Sequence, residues 1–200
     1  MKLIFSVSII CLIVAKITPI IHVEMTNYYL DLDRAVALIL VIGLFFRLFK
    51  EDFLSPFLTL IGFTTGFIGV ASLLGIDPVK AAILVLMTAL VEEIVLRAVV
   101  LEWALAHFSK WTSVFGAAVL FTLVHPAVYS APLYGGLVFI TGVILGAVYL
   151  YGSRPTQFSL RTDVDSAISG KSVRRISVGV VYATMVHSVI ILAGLLLNII

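Results

Sequence analysis

Charge is what this chain has least of. Asp, Glu, Lys and Arg together make up 12% of its 200 residues, about half the share in a soluble globular domain. So few charges cannot cover a water-facing surface, which excludes an ordinary soluble fold. A single cysteine, Cys11, excludes a disulfide framework and a cysteine-based metal site. The formal net charge is +2 and no basic block is dense, which argues against a nucleic-acid partner. Polar linkers, internal repeats and low-complexity stretches are also missing, so the length reads as one integral domain over residues 1–200. No run alternates polar and apolar residues with period two, so strands are not expected.

What fills the chain instead is apolar: 62% of the residues are hydrophobic. They fall into segments separated by short polar breaks. A membrane-spanning helix needs about 20 apolar residues, and residues 3–23, 35–49, 53–75, 79–107, 111–128, 133–151 and 176–199 qualify or come close. The expected fold class is therefore all-α, a polytopic transmembrane helical bundle of about seven spans, since in lipid every backbone polar group has to be satisfied internally. The first segment lacks a clean small-x-small cleavage site after Ala15 and reads as a retained helix rather than a signal peptide.

The cations set an orientation. With the N-terminus inside, Lys2, Arg47, Lys50, Lys110, Arg154, Arg161, Lys171, Arg174 and Arg175 lie on the inner side, against Arg34 and Lys80 outside. That bias places the N-terminus and the long polar loop 152–175 in the cytoplasm. A prokaryotic plasma membrane is the expected location.

Against this background the sequence Glu92-Glu93-Ile94-Val95-Leu96-Arg97 stands out. No other charge occurs between Ala81 and Leu101. A charge at membrane depth costs at least ~2.5–3.5 kcal/mol, and such residues mark functional sites with partners nearby. Glu93 and Arg97 are spaced i,i+4 with the acid first, the favourable order for an ion pair. Glu92 points about 100° away on a regular helix. The local chemistry is therefore expected to divide, with Glu93 neutralised by Arg97 and Glu92 left for a reaction. Glu102, nearer the end of the same segment, reads as reaching toward headgroups.

Two histidines lie in other spans at matching depth. Glu92 is fifteen residues from His107, His125 fourteen from Trp111 and His187 eleven from Ile176. At 1.5 Å per residue these offsets are roughly 16–23 Å, one layer of a bundle. Polar sites in bundles are built this way, from facing helices. A lone histidine on an apolar helix is more often a packing residue, but three ionisable groups at one level point to a site. His125 precedes Pro126, which pushes it out of helical geometry and puts it at a helix end or kink beside Phe121. His22 and His107 read as interfacial anchors. The Gly142/Gly146 and Gly62/Gly66 pairs read as close helix packing.

The motifs Glu92-Glu93…Arg97, Phe121…His125 and His187 occur in that order, the first two in consecutive apolar helices and the third in the last one. In that order they resemble the CAAX-prenyl-protease and bacteriocin-processing (CPBP, or Abi) family of intramembrane endopeptidases, over residues ~80–198. The resemblance implies hydrolysis of a peptide bond in a membrane-associated protein or peptide. Glu92 and His125 would activate a water, His187 would stabilise the oxyanion, and Glu93 and Arg97 would support the site. It implies no cofactor. The alternative is zinc held by Glu92, His125 and His187, although no His-Glu-x-x-His spacing occurs. The sequence departs from the family in one place. The pattern His-x-x-x-Asn would put an asparagine at position 191, which is Ile191, and Asn198 is the only asparagine in that segment. Thr184, Ser188, Thr122 or a backbone amide are the candidate substitutes. The other reading is a catalytically inactive relative that acts in bacteriocin immunity, binding or transport.

Overall fold

The computed structural model describes residues 22–25, 28–31, 54–154 and 175–197. The expected spans 35–49 and most of 3–23, Cys11, loop residues 155–174 and Asn198 lie outside the described residues.

Among the described residues five helices follow one another. α1 is Leu54–Leu73. α2 runs without interruption through Pro78–Ile83, Leu84–Ala89, Leu90–Glu93, Ile94–Leu101 and Glu102–Leu105. α3 is Lys110–Leu123, α4 is Pro132–Gly152 and α5 is Ile176–Leu196. Their bounds fall within a few residues of the apolar segments read from the sequence. The 21 residues of α4 or α5 extend about 31 Å at 1.5 Å per residue, the thickness of a hydrocarbon core. Among the described residues α1, α4 and α5 are long and apolar enough to cross a membrane, and α3 is a shorter apolar helix. Large apolar side chains stay exposed along them, among them Leu58, Ile61, Val119, Leu123, Leu137 and Ile140. Such faces suit lipid and not water. This is an integral membrane protein with an all-α described core.

Among the described residues one element is not helical. His22–Met25 pairs antiparallel with Tyr28–Asp31, His22 opposite Asp31 and Met25 opposite Tyr28. His-Val-Glu-Met does alternate polar and apolar residues, contrary to the expectation of no such run, but over four residues the pattern is too short to stand out.

Local signals explain the breaks. Gly75 has φ of 81°, a conformation that glycine adopts without a Cβ penalty, and it turns the chain between α1 and α2. Asp77 then caps α2, its carboxylate accepting from the backbone N–H groups of Val79 and Lys80, with Pro78 in the first turn. Ser109 caps α3 in the same manner.

α2 is the central rod. Every residue from Leu90 to Leu101 is buried, the mark of a helix surrounded on all sides. Leu84–Ala89 and Ile94–Leu101 are π-helical. Leu90 N–H donates to Val85 O and Glu102 N–H to Arg97 O, each five residues back. Such widened turns are rare and recur at functional sites. They also shift faces, so an angle reckoned at 100° per residue across Ile94–Leu101 fails. Glu102 is the case in point. It does not reach toward headgroups but accepts a hydrogen bond from the Tyr149 hydroxyl at 2.8 Å, inside the bundle.

The contacts fix helix directions. Glu102 meets Tyr149 and Arg97 meets the Gly142 carbonyl, so α2 and α4 run parallel. Gly142 packs on Ala118 and Phe121 and Gly146 on Val114, so α3 opposes α4. The Arg175 N–H, just before α5, donates to Ser153 O, just after α4, while His187 further along α5 meets Glu93, which precedes Arg97 on α2, so α5 opposes α4 and therefore α2. Lipid supplies no hydrophobic drive between helices, and small residues permit the close approach that dispersion requires. A Cβ on Gly142 would lie 3.0 Å from the Ala118 backbone and 3.2 Å from the Phe121 ring. Gly142→Ala is therefore expected to destabilise by about 1–3 kcal/mol. Gly136→Ala on the same helix, exposed and with no described atom within 4 Å, is expected to be neutral or to gain up to ~1 kcal/mol. Unfolding in detergent micelles measures both, and equal behaviour of the two variants would refute the packing role of Gly142.

Candidate active site

Two carboxylates on one turn of α2 have separate partners. Glu93 is fully buried. Its Oε2 lies 3.2 Å from Arg97 Nε and its Oε1 lies 3.0 Å from His187 Nδ1 on α5. Glu92 faces the other way, with Oε2 3.9 Å from His125 Nε2. The 100° offset between the two glutamates survives because Leu90–Glu93 is the α-helical stretch between the two widened ones.

His125 sits where its proline neighbour predicts. α3 ends at Leu123, and a 3-10 turn, Pro126–Tyr129, follows. The His125 N–H donates to Thr122 O rather than four residues back, and the Phe121 carbonyl takes His125 Nδ1 instead, at 2.6 Å. A carbonyl only accepts, so Nδ1 carries the hydrogen and Nε2 is the nitrogen turned to Glu92. The gap of 3.9 Å is too long for a direct hydrogen bond and suits a bridging water.

His187 is held by the same logic from the opposite wall. The Glu93 carboxylate accepts from its Nδ1, which leaves Nε2 for the cavity that His187 lines. Arg97 completes the support. Its guanidinium lies over the Phe121 ring, 5.3 Å from the centroid, and donates to the Gly142 carbonyl at 3.4 Å. Phe121 meets both histidines edge-on, at 4.6 Å to His125 and 5.6 Å to His187. One buried aromatic ring thus spaces the two imidazoles and covers the cation.

These groups open on a cavity of about 460 Å³ between α2, α3, α4 and α5, within the usual range for ligand sites. Glu92, His125 and His187 line it, and most of the remaining wall is apolar, including Leu137, Val138, Ile140, Ile190 and Leu197. Glu93 and Arg97 lie behind that wall. The structure therefore brings all five sequence candidates into one cluster but sorts them into two that hold and three that face the cavity. Among the described residues no three of His, Cys, Asp and Glu gather as a metal-ligand set, and His187 Nδ1 is directed at Glu93 rather than at Glu92.

Ile191 lines the cavity as well. The proposed substitutes for the missing carboxamide do not. Ser188 Oγ donates to Thr184 O and Thr122 Oγ1 to Ala118 O, and Thr184 is fully buried away from the cavity. The sequence reading missed three hydroxyls that do line it, Thr88, Tyr134 and Thr141. Thr88 lies four residues before Glu92, a spacing that could have drawn notice. A second cavity, about 470 Å³ at the other end of α4 and α5, is lined by Arg154 and Arg175 but has no carboxylate or histidine in its wall.

Comparison with curated proteins and with solved structures gives no match. Residues 75–155 match the family model described as type II CAAX prenyl endopeptidase Rce1-like, a stretch that takes in α2, α3 and α4 with Glu92, Glu93, Arg97, Phe121 and His125, and so supports a CAAX-type intramembrane protease in general.

Proposed function

We propose that the chain is an intramembrane endopeptidase that hydrolyses a peptide bond of a membrane-associated protein or peptide through a water held between Glu92 and His125. One observation carries the reading: the Glu92 carboxylate and His125 Nε2 face each other across 3.9 Å at the wall of a mostly apolar cavity. A water there would lose a proton to Glu92 as its oxygen adds to the scissile carbonyl. The carbonyl oxygen becomes the oxyanion. Collapse of that intermediate breaks the carbon–nitrogen bond, and the proton held by Glu92 passes to the leaving amine. His187, anchored through Nδ1–H by the Glu93 carboxylate, acts in this reading as the imidazolium, the form in which Nε2 also carries a hydrogen and donates where the negative charge develops. Arg97 and Glu93 hold positions and touch no substrate. The membrane that houses the chain is proposed to be a prokaryotic plasma membrane with the N-terminus cytoplasmic, and residues 80–198 are proposed as the catalytic core.

The test is cleavage of a lipid-anchored peptide by the purified protein in vesicles, with the new termini read by mass spectrometry. Cleavage is expected to continue in excess chelator. Loss of activity in chelator, restored by zinc, would instead favour the metal reading at Glu92, His125 and His187. A second reading rests on Ile191, whose apolar side chain stands in the cavity wall where the family resemblance puts a carboxamide. In that reading the chain retains the fold for binding, immunity or transport, and no peptide is cut.

A further inference from the structure

A tetrahedral intermediate in this cavity needs donors for its oxyanion. The polar groups on the wall are few: Glu92, His125, His187, Thr88, Tyr134 and Thr141. The first two serve the water. His187, as the imidazolium of the reading above, supplies a single N–H at Nε2, since its Nδ1–H is committed to Glu93.

Two observations point to Thr88: the first is particular to it, and the second it shares with Tyr134 and Thr141. The first is its position. α2 and α5 run antiparallel, and the contact between Glu93 and His187 fixes their register. One turn beyond His187 on α5 is Ile191. One turn back from Glu92 on α2 is Thr88. Both line the cavity, so Thr88 occupies the layer of Ile191 from the facing wall, beside the group that would activate the water. The second reason is its hydrogen bonding. On apolar helices a threonine hydroxyl ordinarily donates to the carbonyl four residues back, as Thr59, Thr64, Thr65 and Thr122 do here. The Thr88 hydroxyl makes no hydrogen bond among the described residues. It lies in the widened stretch Leu84–Ala89, where backbone hydrogen bonds run five residues back, and its hydroxyl remains uncommitted at the cavity wall.

We propose that Thr88 is the second oxyanion donor of this site, its hydroxyl acting with His187 from the wall opposite Ile191. The inference rests on the endopeptidase reading above. It requires no change in bonding beyond that reaction, because the hydroxyl donates a hydrogen bond and keeps its proton.

The experiment measures kcat and KM on a fluorogenic peptide anchored by a lipidated cysteine in phosphatidylethanolamine–phosphatidylglycerol vesicles. Thr88→Val, nearly the same shape without the hydroxyl, is expected to lower kcat by roughly 10²–10³-fold with KM close to that of the parent. Thr88→Ser is expected to keep most of the activity. Ile191→Asn introduced into Thr88→Val is expected to recover part of the loss, because it places a carboxamide in the same layer. Parental kcat in Thr88→Val overturns the inference, as does a comparable loss confined to Thr141→Val or Tyr134→Phe. If Glu92→Gln is inactive while Thr88→Val is not, only the assignment of Thr88 falls. If the parent protein cuts no anchored peptide, the endopeptidase reading and this inference fall together. Matched unfolding of Thr88→Val and the parent in detergent separates loss of a donor from loss of the fold.

Discussion

Glu92→Gln is expected to abolish peptide cleavage and leave the fold intact. The amide has nearly the same shape as the carboxylate but cannot take a proton from the water. A positioned general base contributes typically ~10²–10⁴-fold, enough to carry the variant below detection in a slow membrane assay. The fold should survive because Glu92 is outside the ion pair. Arg97 lies against Glu93, whereas Glu92 faces His125 at 3.9 Å. His125→Ala should lose cleavage to a similar degree, and the double variant should be no worse than either single one. Groups that act on the same water are not additive. Single-turnover cleavage in vesicles, read beside unfolding in detergent, measures both quantities. Undiminished cleavage by Glu92→Gln would sink the Glu92/His125 mechanism, and additive losses would mean that the two residues serve different steps.

Much of this site was legible in the sequence, for reasons that can be named. Charges are so costly in an apolar helix that Glu92, Glu93 and Arg97 announced themselves, and the i,i+4 spacing of Glu93 and Arg97 gave their pairing directly. The His125-Pro126 pair announced a helix end, and α3 does end there. Depth counting brought His187 to the same layer. Which acid His187 would meet was not legible, because that depends on how α5 rotates against α2, and rotation is set by Gly152 and Gly179 packing against Tyr182 and Tyr149. Those glycines are not spaced as a GxxxG pair and lie on different helices. Glu102 was misjudged because the widened turns of Ile94–Leu101 cannot be seen in an apolar run of Val, Leu and Ile. Thr88 was missed for a related reason. A threonine on an apolar helix usually turns its hydroxyl back onto its own backbone, and nothing in the residues around Thr88 says that this one does not.

The strongest effect on stability should come from Arg97. Arg97→Met keeps the volume of the stem but removes the guanidinium from a fully buried site, and it leaves the Glu93 carboxylate with His187 alone. Removing one partner of a buried pair costs about 3–5 kcal/mol, because the remaining charge has lost its compensation. Glu93→Gln in the same background removes that charge, so the double variant Glu93→Gln/Arg97→Met is expected to be more stable than Arg97→Met alone. The difference between the double variant and the sum of the single ones is the coupling between the two groups, and denaturant unfolding in mixed micelles measures it. Simple additivity would mean that the two charges do not rely on each other, contrary to the 3.2 Å contact. Activity should follow a different course. Arg97 also covers the Phe121 ring, and Phe121 spaces His125 and His187. In the double variant His187 faces an amide in place of the carboxylate that anchored it. Stability should therefore return while cleavage does not. The buried pair then does two separable things: it neutralises charge inside the bundle, which a neutral pair can replace, and it holds two imidazoles at fixed positions on the cavity wall, which a neutral pair cannot.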